Sequence, residues 1–131
     1  MSAVADNVHV TRFGFLLVND FTLISMSSAI EPLRMANRIA KQEVYRWKTF
    51  SESGGPVSAS DGLSVNVDHA MEDPEALSGV EVLIVCGGWN IEQNTTDGLL
   101  RWLRSVANRD IGFGATCTGS YVLAEAGLLD G

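Results

Sequence analysis

The chain has 131 residues, 46% hydrophobic and 19% charged, a globular composition long enough for one domain with a sizeable core and unlike that of a disordered chain. Nine basic against sixteen acidic residues give a formal charge of −7, and an acidic surface repels phosphate, which excludes this chain by itself as a DNA-binding module. No run reaches the roughly 18 apolar residues needed to span a bilayer, Met1 to Val8 lacks the basic start and apolar stretch of a signal peptide, and Cys86 and Cys117 show no metal-type spacing, so a reduced, cytoplasmic protein without metal or cofactor is expected.

Phe13 to Val18 is a short continuous apolar run, as in a parallel strand buried on both faces, so a strand is predicted near 11–18. From Phe21 to about Ala40 the apolar positions Met26, Ala29, Ile30, Leu33, Ala36 and Ala40 are helix-spaced, with Asn37 among them; Pro32 inside this stretch predicts a kink or a restart. Tyr45 to Ser51 alternates and reads as a second strand. Gly54-Gly55-Pro56 is a turn, and Ser60-Asp61-Gly62 inside Val57 to Val67 signals a hairpin. Val80 to Val85 is another strand, ending at Cys86-Gly87-Gly88. Thr95 or Thr96 caps a helix whose apolar face holds Leu99, Leu103 and Val106, flanked by Leu100 and Trp102. A short strand at Ile111 to Ala115 precedes a helix from Thr118 to Ala126, with Gly127 closing it. Strands alternating with helices imply a mainly parallel sheet covered on both faces, a three-layer α/β sandwich in one domain.

The segment Gly114-Ala115-Thr116-Cys117-Thr118-Gly119 falls between a strand and a helix, the setting of a nucleophile elbow. The turn is tight, so small residues are needed two places before and after the nucleophile, and Ala115 and Gly119 stand there. A thiol so placed faces the positive end of a helix, where thiolates form. A small buried cysteine is the plainer reading; the spacing of small residues favours the elbow. Catalysis needs more than geometry: a base in reach and a group to orient it. His9 and His69 are the two histidines, neither is adjacent to the elbow in sequence, and both read as solvated surface residues.

Cys86-Gly87-Gly88-Trp89-Asn90 ends the strand at 80–85, on the edge where open α/β sheets bind ligands. Two glycines allow close backbone approach and can aim N–H groups at an anion or carbonyl oxygen. A plain tight turn is the competing reading, and Cys117 on the same edge favours a pocket. Cys86 itself reads as core. Trp89 would overhang the pocket and offer an indole face to an apolar or cationic ligand, or pack on a neighbouring helix; Trp47 reads as core.

Phe13-Gly14-Phe15-Leu16-Leu17-Val18, Ala29-Ile30-Glu31-Pro32-Leu33-Arg34, Leu83-Ile84-Val85-Cys86-Gly87-Gly88, Thr116-Cys117-Thr118-Gly119-Ser120-Tyr121-Val122-Leu123-Ala124 and the closing Ala124 to Gly131 resemble the N-terminal half of AraC-family regulators. Those carry a PfpI-type, class I glutamine-amidotransferase-like domain before a helix-turn-helix domain. The resemblance spans nearly the whole chain and implies a flavodoxin-like sheet. Peptidase-like members of that superfamily place a histidine directly after the elbow cysteine, where this chain has Thr118, and a glutamate soon after the first strand, where alignment of the apolar run puts Thr22. The resemblance therefore implies a vestigial elbow: Cys117, Thr118, Gly87, Gly88, Trp89 and Thr22 as ligand-binding candidates, with no catalytic residue. It also implies that the family pattern continues past Gly131, so that the C-terminal part of the domain and the DNA-binding domain lie outside residues 1–131.

The expected function is effector sensing and dimerisation in a bacterial AraC-type regulator, a homodimer that touches DNA through the absent domain and has no membrane partner. The subfamily it most resembles regulates the use of amines and amino-acid derivatives such as arginine, carnitine or glycine betaine. Two other functions fit the elbow: a cysteine-dependent hydrolase or amidotransferase-like enzyme, opposed by Thr118, and a thiol-based stress protein of the same fold.

Overall fold

The computed structural model describes residues 9–129. The signal-peptide reading of Met1 to Val8 and the final Asp130 and Gly131 lie outside the described residues.

Among the described residues seven strands and four helices follow one another as β1 (Thr11–Leu17), α1 (Leu23–Ala40), β2 (Tyr45–Ser51), β3 (Val57–Ser58), β4 (Ser64–Val65), β5 (His69–Ala70), β6 (Val82–Cys86), α2 (Ile91–Asn94), α3 (Asp97–Val106), β7 (Gly112–Thr116) and α4 (Gly119–Glu125). Five strands form one sheet in the order β5-β2-β1-β6-β7, and every pairing in it is parallel. The expected parallel α/β sandwich is what the chain forms. β3 and β4 pair antiparallel outside that sheet, Val57 opposite Val65, around the predicted Ser60-Asp61-Gly62 turn.

Both faces of the sheet are covered, as its apolar strands require. On one face Leu16, Phe50, Leu83 and Val85 pack against Leu99, Trp102, Leu103 and Val106 of α3 and Val122 and Leu123 of α4. On the other, Phe15, Leu17 and Cys86 meet Met26, Ala29, Ile30 and Leu33 of α1, together with Val57 and Ala59 of the hairpin segment. Trp47 is half-buried on this second face.

α1 is capped by Thr22, whose hydroxyl accepts from the Ser25 N–H. It runs unbroken through Pro32, so the restart predicted there does not occur. Pro32 lies on the exposed side of the helix, where its ring points away from the sheet and the carbonyl it deprives of a partner can meet water. Asn37 ties the end of this helix to the next strand: its Oδ1 accepts from the Val44 and Tyr45 N–H groups at 2.9 and 3.0 Å, and its Nδ2 donates to the Tyr45 carbonyl. Of the two predicted caps for α3, Thr96 is the one used, accepting from the Leu99 N–H at 3.1 Å. α4 ends in a Schellman motif: Gly127 at φ 81 donates to Ala124 O, and Leu128 donates to Leu123 O.

The register aligns the strand ends. Leu17 pairs with Cys86 and Cys86 with Thr116, so β1, β6 and β7 deliver their following loops to one edge at one level. Leu16 pairs with Phe50, which brings Ser51 to that edge too. Between β1 and β6 the winding reverses: the loop after β1 leads to α1 on one face and the loop after β6 to α3 on the other. That is a topological switch point, the usual place for a ligand in this class of sheet.

Candidate functional site

Cys117 follows β7 with φ 52, a left-handed conformation that a non-glycine residue adopts at a cost of order 1–2 kcal/mol. Its side chain is exposed. The backbone behind it is closely packed. A Cβ on Gly119 would lie 2.8 Å from the Val85 carbonyl carbon and closer still to its oxygen, so the elbow presses backbone against the central strand β6 and admits glycine alone at that position. Directly before the elbow, Thr116 Oγ1 is buried without a hydrogen-bond partner among the described residues.

The glycine loop interlocks with the elbow. A Cβ on Gly87 would meet Gly119 N at 2.5 Å, and one on Gly88 would meet Thr22 N at 2.6 Å. Gly87 O accepts from Thr22 N at 3.2 Å and from Ser25 Oγ at 3.1 Å. Gly88 O accepts from Thr118 Oγ1 at 2.7 Å. The N–H of Trp89 donates to Asp20 O at 3.0 Å. These bonds fix three turns, those after β1, β6 and β7, as one rigid frame. Gly88 N–H has no acceptor among the described residues.

Five of the six candidates thus come together: Cys117, Thr118, Gly87, Gly88 and Thr22. The hydroxyls of Thr22 and Thr118 hold the frame, one accepting at the cap of α1 and the other donating to Gly88 O. Trp89 follows the same loop but stands 68% exposed, and it does not line the cleft over β1 and β2. Cys86 is core: it is fully buried, and burial pushes its thiol up to about 11.

Neither histidine reaches the elbow. His9 is exposed and pairs with Glu81 at 3.0 Å. His69 differs from the surface residue expected. It sits on β5, its side chain is 23% exposed, it bonds Asp73 Oδ2 at 3.0 Å, and it packs on the Phe50 ring. β5 and β7 are opposite edges of the sheet, four strand spacings or roughly 19 Å apart. Among the described residues no group of three or more His, Cys, Asp or Glu could hold a metal, and no helix is long and apolar enough to cross a membrane.

Two features were not legible in the sequence. Ser25 is, with Ser51, one of two buried polar residues among the described residues, at 4% exposed, and its hydroxyl reaches both Thr22 O and Gly87 O; only the serine-rich start of α1 hinted at it. The second is a cleft of about 420 Å3 over the carboxyl ends of β1 and β2, closed by the start of the hairpin and by α2. None of the six candidates lines it.

Known proteins resemble the chain along nearly its whole length. It is 48% identical over 125 residues to the HTH-type transcriptional regulator GbdR of Pseudomonas aeruginosa, a match covering 95% of this chain and 33% of that protein. It is 39% identical over 130 residues to the HTH-type transcriptional regulator GlxA of Rhizobium meliloti, covering 99% of this chain and 40% of that protein. The chain therefore spans between a third and two fifths of these regulators. Among solved structures, an AraC family transcriptional regulator from Pseudomonas putida superposes with a TM-score of 0.80 at 26% identity, over 92% of this chain and 63% of that one. From Arg12 in the first strand through to residue 131 the sequence matches the DJ-1/PfpI family, and to that family the chain belongs.

Proposed function

We propose that this chain is the effector-sensing and dimerisation domain of an AraC-type transcription regulator, and that its elbow is a binding frame and not a catalytic centre. The observation that carries the reading is what surrounds Cys117. The position after it is Thr118, whose hydroxyl is committed to Gly88 O, and both histidines are paired elsewhere. General-base help is worth roughly 10²–10⁴-fold in rate, so a thiol without it makes a poor enzyme. Binding needs only a concave site with a few fixed polar groups, and the interlocked turns form a frame beside the cleft over β1 and β2. Relatives that are transcriptional regulators point the same way. With a charge of −7, DNA contact falls to another part of the regulator, and the isolated chain gives no salt-sensitive shift of a DNA fragment.

The test is paired. Peptidase, amidase and esterase substrates stay at background with the native chain, while Cys117→Ser alters the thermal shift produced by an effector. Hydrolysis that Cys117→Ser abolishes would replace the sensor with a cysteine-dependent enzyme. Reversible oxidation of Cys117 that alone changed the chain's stability or association would favour the thiol-based stress protein.

A further inference from the structure

We propose that the effector binds in the cleft over β1 and β2, and that it is a small molecule bearing an N–H cation, an ammonium or guanidinium, held by Glu52. The proposal rests on the sensing function and gives it a place and a ligand class. Its location is the first support. The cleft opens at the carboxyl ends of parallel strands, against Val18 and Asn19 after β1, beside the point where the connections leave for opposite faces. A crevice there is where α/β sheets of this order take ligands. At about 420 Å3 it lies within the range of small-molecule sites, roughly 300–1,000 Å3.

The chemistry of the walls sets the ligand class. Leu16, Val57 and Leu99 are buried and give the cleft an apolar floor. Glu52 is the one charged residue that lines it; no lysine, arginine or histidine does. One Glu52 oxygen accepts from Thr96 Oγ1 at 2.7 Å, which fixes the carboxylate against the start of α3. Its other oxygen has no partner, and Glu52 has no ion pair, among the described residues. Arg101, whose guanidinium lies beside Gly98, does not pair with it.

Of the nearby amides Asn94 has spent its donors and Asn19 one of its two. Asn94 Nδ2 donates to Asp20 Oδ2 and to the Trp89 and Asn90 carbonyls, and Asn19 Nδ2 donates to Asn94 Oδ1. What remains is the second Glu52 oxygen, the one negative charge of the lining, flanked by one N–H of Asn19 and by the Gln93 side-chain amide, which has no hydrogen bond among the described residues. A ligand that brings N–H donors and positive charge completes it. A carboxylate would meet a like charge with no counter-cation in the lining. An alkyl stem of a few carbons suits the apolar floor. Asn94 joins the cleft to the loop that carries Trp89 and Gly88, so filling the cleft acts on the frame that also holds the elbow.

The experiment is a titration of the isotope-labelled chain with n-butylammonium, n-butylguanidinium and n-butyrate, followed by NMR through the side-chain amides of Asn19, Gln93 and Asn94. The two cations should move these resonances saturably, and butyrate at equal concentration should not. Glu52→Gln should weaken the cations at least tenfold. Asn19→Lys, which puts a charge at an exposed position of the rim, should do the same if Glu52→Gln disturbs folding. Glu31→Gln, which removes a carboxylate on the outside of α1, should leave affinity within twofold. Cations that bind but spare these amides, or that bind Glu52→Gln equally well, would overturn the cleft while leaving the sensor standing. A chain that binds no amine, amino acid or carboxylate from a broad panel would overturn both.

Discussion

Replacing Gly119 by alanine tests how tightly the elbow is packed. The added methyl would lie 2.8 Å from the Val85 carbonyl carbon, nearer still to the oxygen, and 3.4 Å from the Ala115 Cβ. Val85 is main chain of β6, held between β1 and β7, so it cannot rotate aside as a side chain would. Gly119 is not among the residues with positive φ, so the cost is one of contact and not of conformation. Alanine gains up to about 1 kcal/mol over glycine in a helix, whereas forcing extra atoms into a packed core costs about 1–3 kcal/mol, and more where backbone must move. A net loss of about 2 kcal/mol is expected. At about 3–5 °C per kcal/mol for a chain of this length, Tm falls by about 6–10 °C, measured by circular dichroism. Gly127→Ala is the contrasting case. There φ is 81 and a Cβ would have nothing within 4 Å, so only the left-handed conformation resists, at about 1–2 kcal/mol. Gly119→Ala should also change the alkylation rate of Cys117, which Gly127→Ala should leave alone. A Gly119→Ala chain melting within about 1 °C of the native one, or above it, would refute this packing.

Leu103 is fully buried between α3 and the sheet, so Leu103→Ala should lower unfolding stability in urea by about 2–5 kcal/mol; a loss under about 1 kcal/mol would mean that this face is loosely packed. Burial keeps the Cys86 thiol protonated well above neutral pH, while Cys117 is exposed. Iodoacetamide at mildly alkaline pH should therefore add one group per native chain, on Cys117, and a second only after denaturation. The Asp73 carboxyl is held below its ordinary 3.8, first by the Glu75 N–H and then by His69. A depressed folded value stabilises the fold fully above that ordinary value, and the contribution is lost as pH falls from there through the folded pKa. Asp73→Asn should accordingly flatten the acid-side decline of Tm between about pH 5 and pH 2, and an unchanged decline would count against the contact.

The parts of the fold that were legible in the sequence are those set by long apolar patterns and strong punctuation. Tyr45–Ser51 forms over the residues predicted, and the other long strands shift by one or two: 80–85 is observed at 82–86, and 111–115 at 112–116. The strand at His69–Ala70 is two residues long, too short to carry a period, and its partner Phe50–Ser51 is set by the tertiary fold. That missed strand also explains His69, which reads as a surface residue until β5 brings it against Phe50. α2 is a single turn whose cap residue, Asn90, has φ 50 and makes no side-chain cap bond, so no capping pattern marks it. At Pro32 a local rule gave way to context, because the helix carries the ring on its solvent side.

The elbow was legible because steric need leaves small residues at fixed spacing: Ala115 and Gly119 around Cys117, and Gly87-Gly88 opposite. The cleft was not, because Val18, Ser51, Val57 and Asn94 share no motif and meet only through sheet order. Ser25 was hidden for a similar reason, since its partner Gly87 lies 62 positions away.

Sensing without turnover is tested most directly by ligand-observed NMR of the native chain with a panel of amines and amino-acid derivatives, each mixture followed from first contact over hours. Saturation transfer to at least one cationic member is expected, competed by n-butylammonium, with the spectrum of that ligand unchanged at the end. Product signals that grow with time and vanish in Cys117→Ser would contradict it.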